Sequence, residues 1–256
     1  MRYLYLANGR LGRDTLAHGI ASGRVPVGLI VHPAARARFR DEIVALSGLD
    51  AERIIEAPAL RTAEGLHWLA ELEPDWLVSV LFGYVLRADV LTIPRRGAVN
   101  LHPALLPYNR GAYPNVWSIV DRTPAGVTLH HMDPDRAVDA GDIIAQHEVP
   151  VDPTDTGATL YAKLEAAGLQ LMTEAWPLLE MADTPRLPQH GTGTAHRVVD
   201  VERIDRIDPD AMVRAGDLID ILRARTFAPH AGAYLDLGGG RRVEIRVELH
   251  ERESRG

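Results

Sequence analysis

Along the first 180 residues, short apolar runs alternate with amphipathic stretches. "RYLYLA" (2–7) is apolar almost throughout, "NGRLG" turns the chain, and a helical spacing then runs through Leu16 and Ile20. "VPVGLIVH" (25–32) predicts a second buried strand. "RARFRDEIVAL" (36–46) predicts a helix with Phe39, Ile43 and Leu46 on one side. "ERIIEAP" reads as a third strand followed by a helix over 62–72, "DWLVSVL" (75–81) as a fourth strand and "GAVNLHP" (97–103) as a fifth. Strands that are apolar on both faces and separated by helices indicate a parallel sheet covered on both sides. Beyond them "PNVWSIVDR" has helical spacing, "GVTLHHM" and "IIAQHEV" read as strands, and 156–180 is a long amphipathic helix.

After residue 181 the texture changes. "ADTPRLPQHGTGTAH" is a Pro/Gly/Thr-rich connector, "DAMVRAGDLIDILRAR" a short helix with Leu218, Ile221 and Leu222 apolar, and "GAYLDLGGGRRVEIRVEL" a hairpin around Gly238-Gly239-Gly240. The predicted plan is α/β: a doubly wound, mostly parallel sheet over residues 1–180, then a connector and a small α+β unit over 181–256. The hairpin offers an edge strand for pairing with a second copy of the chain. The Asp/Arg alternation of "VDVERIDRIDPD" predicts a solvated, salt-bridged surface.

Composition narrows the chemistry. With 256 residues, 46% hydrophobic and 25% charged, the chain can bury a full core. A net charge of −7 argues against a partner that needs a broad basic surface, such as nucleic acid. No apolar run approaches the ~20 residues of a membrane span, and "MRYLYLANGRLG" lacks the features of a secretory signal, so a cytoplasmic location is expected. Cysteine is absent, which removes thiol nucleophiles and Cys-zinc sites. Lys163, the single lysine, falls on a scaffold helix, and no serine sits in a G-x-S-x-G elbow. Any enzyme built from these residues works without a protein nucleophile.

"NLHPALLPYNRG" (100–111) supplies the candidate chemistry. Asn100 and His102 are two apart at the end of a strand and so share a face, at the sheet edge where crevices form. In "AVDAGDIIAQ" either Asp139 or Asp142 could join them. An imidazole, a carboxamide and a carboxylate together suit acyl transfer between small molecules. The histidine moves the proton, the carboxylate holds its tautomer and favours imidazolium, and the amide donates to an oxyanion. The competing reading is a set of polar groups that satisfy backbone at a strand end. Gly9 and Gly12 form a βα turn without the third glycine of a dinucleotide fingerprint, and such a turn can line a ligand cleft. His130 and His131 are adjacent, so they cannot both face one side of a strand as a metal clamp, and no metal is expected.

The ordered set "NLHPALLPYNRGAYPNVWSI", "GVTLHHM" and "DAGDIIAQHEVP" resembles the folate-dependent formyltransferase family, across most of residues 1–180. That family includes glycinamide ribonucleotide transformylase, methionyl-tRNA formyltransferase and the sugar N-formyltransferases. The resemblance implies N10-formyltetrahydrofolate as formyl donor and an amine as acceptor. It places the family triad on Asn100, His102 and Asp139, with Asp139 chosen by the Asp-x-Gly order and Asp142 left as a strand-start residue. It also implies that "LFGYVL", through Leu81, Phe82, Gly83, Tyr84 and Leu86, meets the pterin edge with backbone groups.

The tail bears on the acceptor. Residues 200–256 carry ten arginines against twelve Asp and Glu, which disfavours a polyanion such as tRNA. "IDILRARTFAPHAGAYLDL" resembles the segment that follows the catalytic domain in sugar N-formyltransferases. This implies an amino deoxysugar on a dTDP or UDP carrier, with Gly9, Arg110, Gly111, Tyr113 and Arg225 as candidate contacts to it. Three alternatives stand beside it: methionyl-tRNA formyltransferase, formyltetrahydrofolate hydrolase, and a non-catalytic folate or nucleotide-sugar binding protein.

Overall fold

A computed structural model describes residues 1–252; the last four positions of the tail lie outside the described residues. In chain order the elements are β1 (Tyr3–Ala7), α1 (Gly9–Ala21), β2 (Gly28–Val31), α2 (Arg40–Ser47), β3 (Ile54–Glu56), α3 (Ala63–Glu71), β4 (Trp76–Val80), α4 (Ala88–Leu91) and β5 (Gly97–His102). They continue with β6 (Arg110–Gly111), α5 (Pro114–Val120), β7 (Ala125–Met132), β8 (Ile143–Val149) and α6 (Gly157–Glu180). The tail holds β9 (Ala195–His196), α7 (Glu202–Asp205), β10 (Arg206–Ile207), α8 (Ala215–Ala224), β11 (Tyr234–Asp236) and β12 (Arg242–Glu244).

Seven strands form the main sheet in the order β3-β2-β1-β4-β5-β7-β8, parallel through β5 and antiparallel at β7 and β8. The strands β1, β2 and β4 are buried on both faces, as their continuous apolar runs predict. On β1, Tyr3, Tyr5 and Ala7 pack with α1 and α6 residues on one side, while Leu4 and Leu6 join Leu69 and Phe82 on the other. α6 begins at a Thr156–Thr159 capping box and buries Leu160, Leu164, Leu171, Met172 and Leu179 at helical spacing against the sheet. Each such buried leucine contributes on the order of 1.5–3 kcal/mol of apolar transfer.

Three expectations are corrected. The helix predicted from residue 36 starts at Arg40, because Phe39 takes a left-handed conformation (φ 60°) and lies under the Arg13 guanidinium instead of in the core. On α8 the buried residues are Asp220, Arg223 and Ala224. Asp220 accepts from both Arg223 and Arg122, so an ion-pair cluster seats this helix where apolar side chains were expected. The Asp/Arg stretch is also not uniformly solvated: Val201 is buried, and Asp205 pairs with Arg225 with little of either side chain exposed. β11 and β12 form the expected antiparallel hairpin, with β10 added in parallel.

Candidate active site

Ser79, Asn100 and His130 occupy paired register positions on β4, β5 and β7, so their side chains lie in a row across three strands on one face. The Ser79 hydroxyl donates to Asn100 Oδ1 at 2.9 Å. That contact orients the carboxamide, so Nδ2 points the other way, 3.4 Å from both Asp139 Oδ1 and His130 Nε2. His102, two residues along β5 on the same face, is buried and brings Nδ1 to 3.6 Å from Asp139 Oδ2. Its Nε2 lies 3.1 Å from the carbonyl oxygen of Asn109.

Asn109 explains part of the motif that follows β5. It sits fully buried in a left-handed conformation (φ 55°), which Asn tolerates better than most residues. Its amide nitrogen donates to Ser118 and Thr123, and its own N–H donates to Thr194 Oγ1. The carbonyl beside His102 is therefore held by the whole loop.

Asp139 is the centre of the constellation. It also adopts a left-handed conformation (φ 56°), in the loop between β7 and β8. Oδ2 accepts from Gly111 N–H at 2.9 Å, and Oδ1 lies 3.3 Å from His130 Nε2. Burial would push the carboxyl pKa up; His102, His130 and the Gly111 N–H outweigh this and hold it well below the usual carboxylate range. Asp139 is therefore an anion in the folded protein. Both nitrogens of His130 and both of His102 face oxygen atoms, since His130 Nδ1 lies 2.9 Å from the His131 carbonyl. Two imidazoles thus flank one carboxylate, with a carboxamide N–H₂ alongside. Such a set can accept or relay a proton and donate to a nascent oxyanion.

The structure adds two groups that the linear pattern does not single out. His130 touches Asp139, and the signal for it lies in its register partner, Asn100. His131 does point away, toward Trp76 and the Pro185 carbonyl. Gln189 in the connector reaches the backbone of Asp139, which no sequence spacing announced. Among the described residues no group of three or more His, Asp or Glu is arranged to hold a metal.

The remaining candidates divide. Of the loop after β4, Phe82 and Leu86 bury their side chains in the core, and the Phe82 carbonyl is taken by His32 Nε2. Gly83 stays exposed (φ 70°), with His32 at 3.8 Å the nearest atom to any added Cβ, and Tyr84 is half-buried against His32. The loop can therefore present backbone to a flat ring. Leu81 and Gly9 line a separate cleft of about 430 Å³ together with Arg10, Arg38, Tyr161 and Phe227. It lies outside the carboxyl ends of β1 and β4, where the strand order reverses, the usual crevice in a doubly wound sheet. Tyr113 is largely exposed just before α5.

Both candidate arginines have protein acceptors. Arg110 donates Nε and Nη2 to Gln189 Oε1 at 3.0 and 2.7 Å. Arg225 is held by Asp205 and the Ala231 carbonyl. A guanidinium carries five N–H donors, of which Arg110 spends two on Gln189 and Arg225 three on Asp205 and Ala231. Gly111 likewise spends its N–H on Asp139.

Residues 29–176 match the family described as Formyl transferase, and residues 200–251 match the N-formyltransferase dimerization C-terminal domain. A methionyl-tRNA formyltransferase of Syntrophus aciditrophicus is 32% identical over 73% of this chain, and the chain spans 58% of that relative's length. The crystal structure of a 4-N formyltransferase from Francisella tularensis superposes with a TM-score of 0.83 at 26% identity, covering 98% of each chain. A formyltransferase from Anoxybacillus kamchatkensis, solved in complex with UDP-4,6-dideoxy-4-formamido-L-AltNAc and tetrahydrofolate, gives a TM-score of 0.58 at 28% identity over 79% of this chain and 89% of that one.

Proposed function

The chain belongs to the formyl transferase family, and from that premise we propose that it transfers a formyl group to the amine of a nucleotide-linked amino deoxysugar. N10-formyltetrahydrofolate would supply the formyl group as co-substrate, against the loop Leu81–Leu86, where exposed Gly83 leaves backbone accessible. Residues 1–180 would carry the chemistry and 181–256 the connector and pairing unit.

In this reading His102 takes the proton that the acceptor nitrogen loses as it bonds to the formyl carbon, and returns a proton to the nitrogen that leaves. Asn100 Nδ2, turned toward the site by Ser79, donates to the formyl oxygen as that atom gains negative charge. The Asp139 anion stabilises imidazolium on His102 while the proton is held there. The amine lone pair forms the new C–N bond while the C=O pair shifts to oxygen; that pair then returns as the old C–N bond breaks and its electrons leave with the donor nitrogen, so no covalent enzyme intermediate and no redox partner are needed.

The observation that carries the sugar acceptor is the likeness, at 28% identity, to the Anoxybacillus formyltransferase solved with UDP-4,6-dideoxy-4-formamido-L-AltNAc; the likeness to the Francisella 4-N formyltransferase, over 98% of this chain, extends through the tail. The cleft at the β1/β4 switch point supports it. Arg10, half-exposed and paired with Glu165, lines the cleft with Arg38 and suits a pyrophosphate, while the rings of Tyr161 and Phe227, with centroids 5.4 Å apart, suit a base. Those groups join Arg110 and Arg225 as candidate nucleotide contacts. The second reading, methionyl-tRNA formyltransferase, is favoured by the Syntrophus relative and opposed by the acidic tail. The deciding experiment incubates the protein with N10-formyltetrahydrofolate and, separately, a panel of dTDP- and UDP-amino sugars, methionyl-tRNA, and buffer. Formylated sugar supports the proposal. Formylmethionyl-tRNA supports the second reading, and donor loss in buffer alone means hydrolysis. No donor loss under any condition refutes transfer and favours a binding protein.

A further inference from the structure

Gln189 lies in the connector, about fifty residues beyond Asp139 in the chain, yet its carboxamide touches both sides of the constellation. Nε2 donates to the carbonyl oxygens of Asp139 and Gly141, each at 2.8 Å. Oε1 accepts two bonds from Arg110, the residue before the Gly111 whose N–H holds the Asp139 carboxylate. A closed ring results: Gly111 N–H to the Asp139 carboxylate, Asp139 carbonyl to Gln189, Gln189 to Arg110.

The chemistry of the ring requires a carboxamide. Two donors must meet two carbonyls while one oxygen meets a guanidinium, and among neutral side chains only Gln or Asn offers both. Glutamate would keep the Arg110 bonds but set lone pairs against two carbonyl oxygens. Asparagine is one methylene shorter. The connector is also brought there on purpose-built contacts. Leu187 exchanges backbone bonds with Ile143 at 2.8 and 2.9 Å, and β9 pairs with β6 through Arg110 and Gly111. Gln189 is held between those two anchors. Asp139, in a left-handed conformation, needs such support to stay there.

We propose that Gln189 is a positioning residue of the active site: it fixes the Asp139 backbone and couples it to Arg110–Gly111, so that the carboxylate meets His102. The role in turnover rests on the formyl-transfer reading above; the role in geometry does not.

The test compares Gln189→Ala and Gln189→Glu with the parent protein in three measurements: steady-state kinetics with the best acceptor, melting temperature, and amide hydrogen exchange. Both variants should lose turnover by about 10²-fold, the scale of a small misplacement of a catalytic group, with KM for donor and acceptor within about threefold. Exchange should quicken at Gly111 and at residues 139–142, and stay unchanged in β1 and β4. Wild-type exchange at Gly111 in Gln189→Ala overturns the proposal whatever the kinetics. So does full turnover in Gln189→Glu, since that variant lacks both donations. A loss of melting temperature with faster exchange throughout the sheet would mark a general stability residue and overturn it as well. If the parent protein transfers no formyl group to any acceptor, the formyl-transfer reading fails, and exchange at Gly111 alone decides the role of Gln189.

Discussion

Gly141 lies so close to His131 that a Cβ at this position would sit 1.8 Å from the His131 carbonyl oxygen. The contact accounts for the glycine of the Asp-x-Gly motif. His131 N–H donates to the Asp142 carbonyl at 2.8 Å, which draws the loop against β7 and aims Asp139 back at the site. Replacing Gly141 by Ala should push the loop off the strand and take Asp139 with it. Turnover should fall by about 10²-fold, the scale of a misplaced catalytic group, and steady-state kinetics on the folded variant would measure it. Unchanged kinetics would mean that the loop tolerates the shift.

Asn100 and His102 should contribute to turnover and little to binding. Losing an oxyanion donor typically costs about 10²–10³ in rate, and losing a general base about 10²–10⁴. Asn100→Ala and His102→Ala should show such losses with KM nearly constant. Because both act on one transition state, the double variant should lose less than the product of the two. Near-normal turnover per folded molecule in either single variant would sink the mechanism and return these residues to strand-end backbone satisfaction.

Acid should destabilise the fold through His131. Burial, partly opposed by the Pro185 carbonyl, lowers its pKa below the ordinary histidine value. The unfolded chain then binds the proton more readily, so stability is complete above about pH 6.5 and declines as pH falls through that value toward the lower native one. Thermal melts between pH 7.5 and 5.5 should drop less steeply for His131→Leu than for the parent protein. Equal slopes would assign the acid sensitivity to other groups. Asp139 acts in a separate window: its depressed carboxyl contributes stability above the unfolded value near 3.9, which is lost only as pH falls below it.

The tail should mediate self-association. Leu237 and Val243 are about half exposed on the hairpin, within the segment that matches a dimerization domain. Leu237→Asp with Val243→Asp should lower the solution mass toward one chain of 28.1 kDa in light scattering. A parent protein that is already a single chain, or a variant of unchanged larger mass, would rule out pairing through this face.

The sheet was legible from the chain because β1, β2 and β4 are buried on both faces, and continuous apolar runs between helices have few other solutions. Asn100 and His102 were legible for a simpler reason: they share one strand, and a period of two places them on one face without reference to any other element. The start of α2 was not, since helical spacing cannot report that Phe39 turns left-handed over Arg13.

What only the tertiary structure decided is who meets Asp139 and His102. His130 reaches Asp139 through the β5/β7 register and Gln189 through a connector that returns after the whole of α6, while a buried polar network holds the Asn109 carbonyl beside His102. Such contacts depend on register and loop closure, which local pattern does not encode. Arg110 and Arg225 show the same limit from the other side. Their charge is written in the sequence, but the nearest acceptor is set by the fold, and a guanidinium bonds the acceptor that folding places beside it.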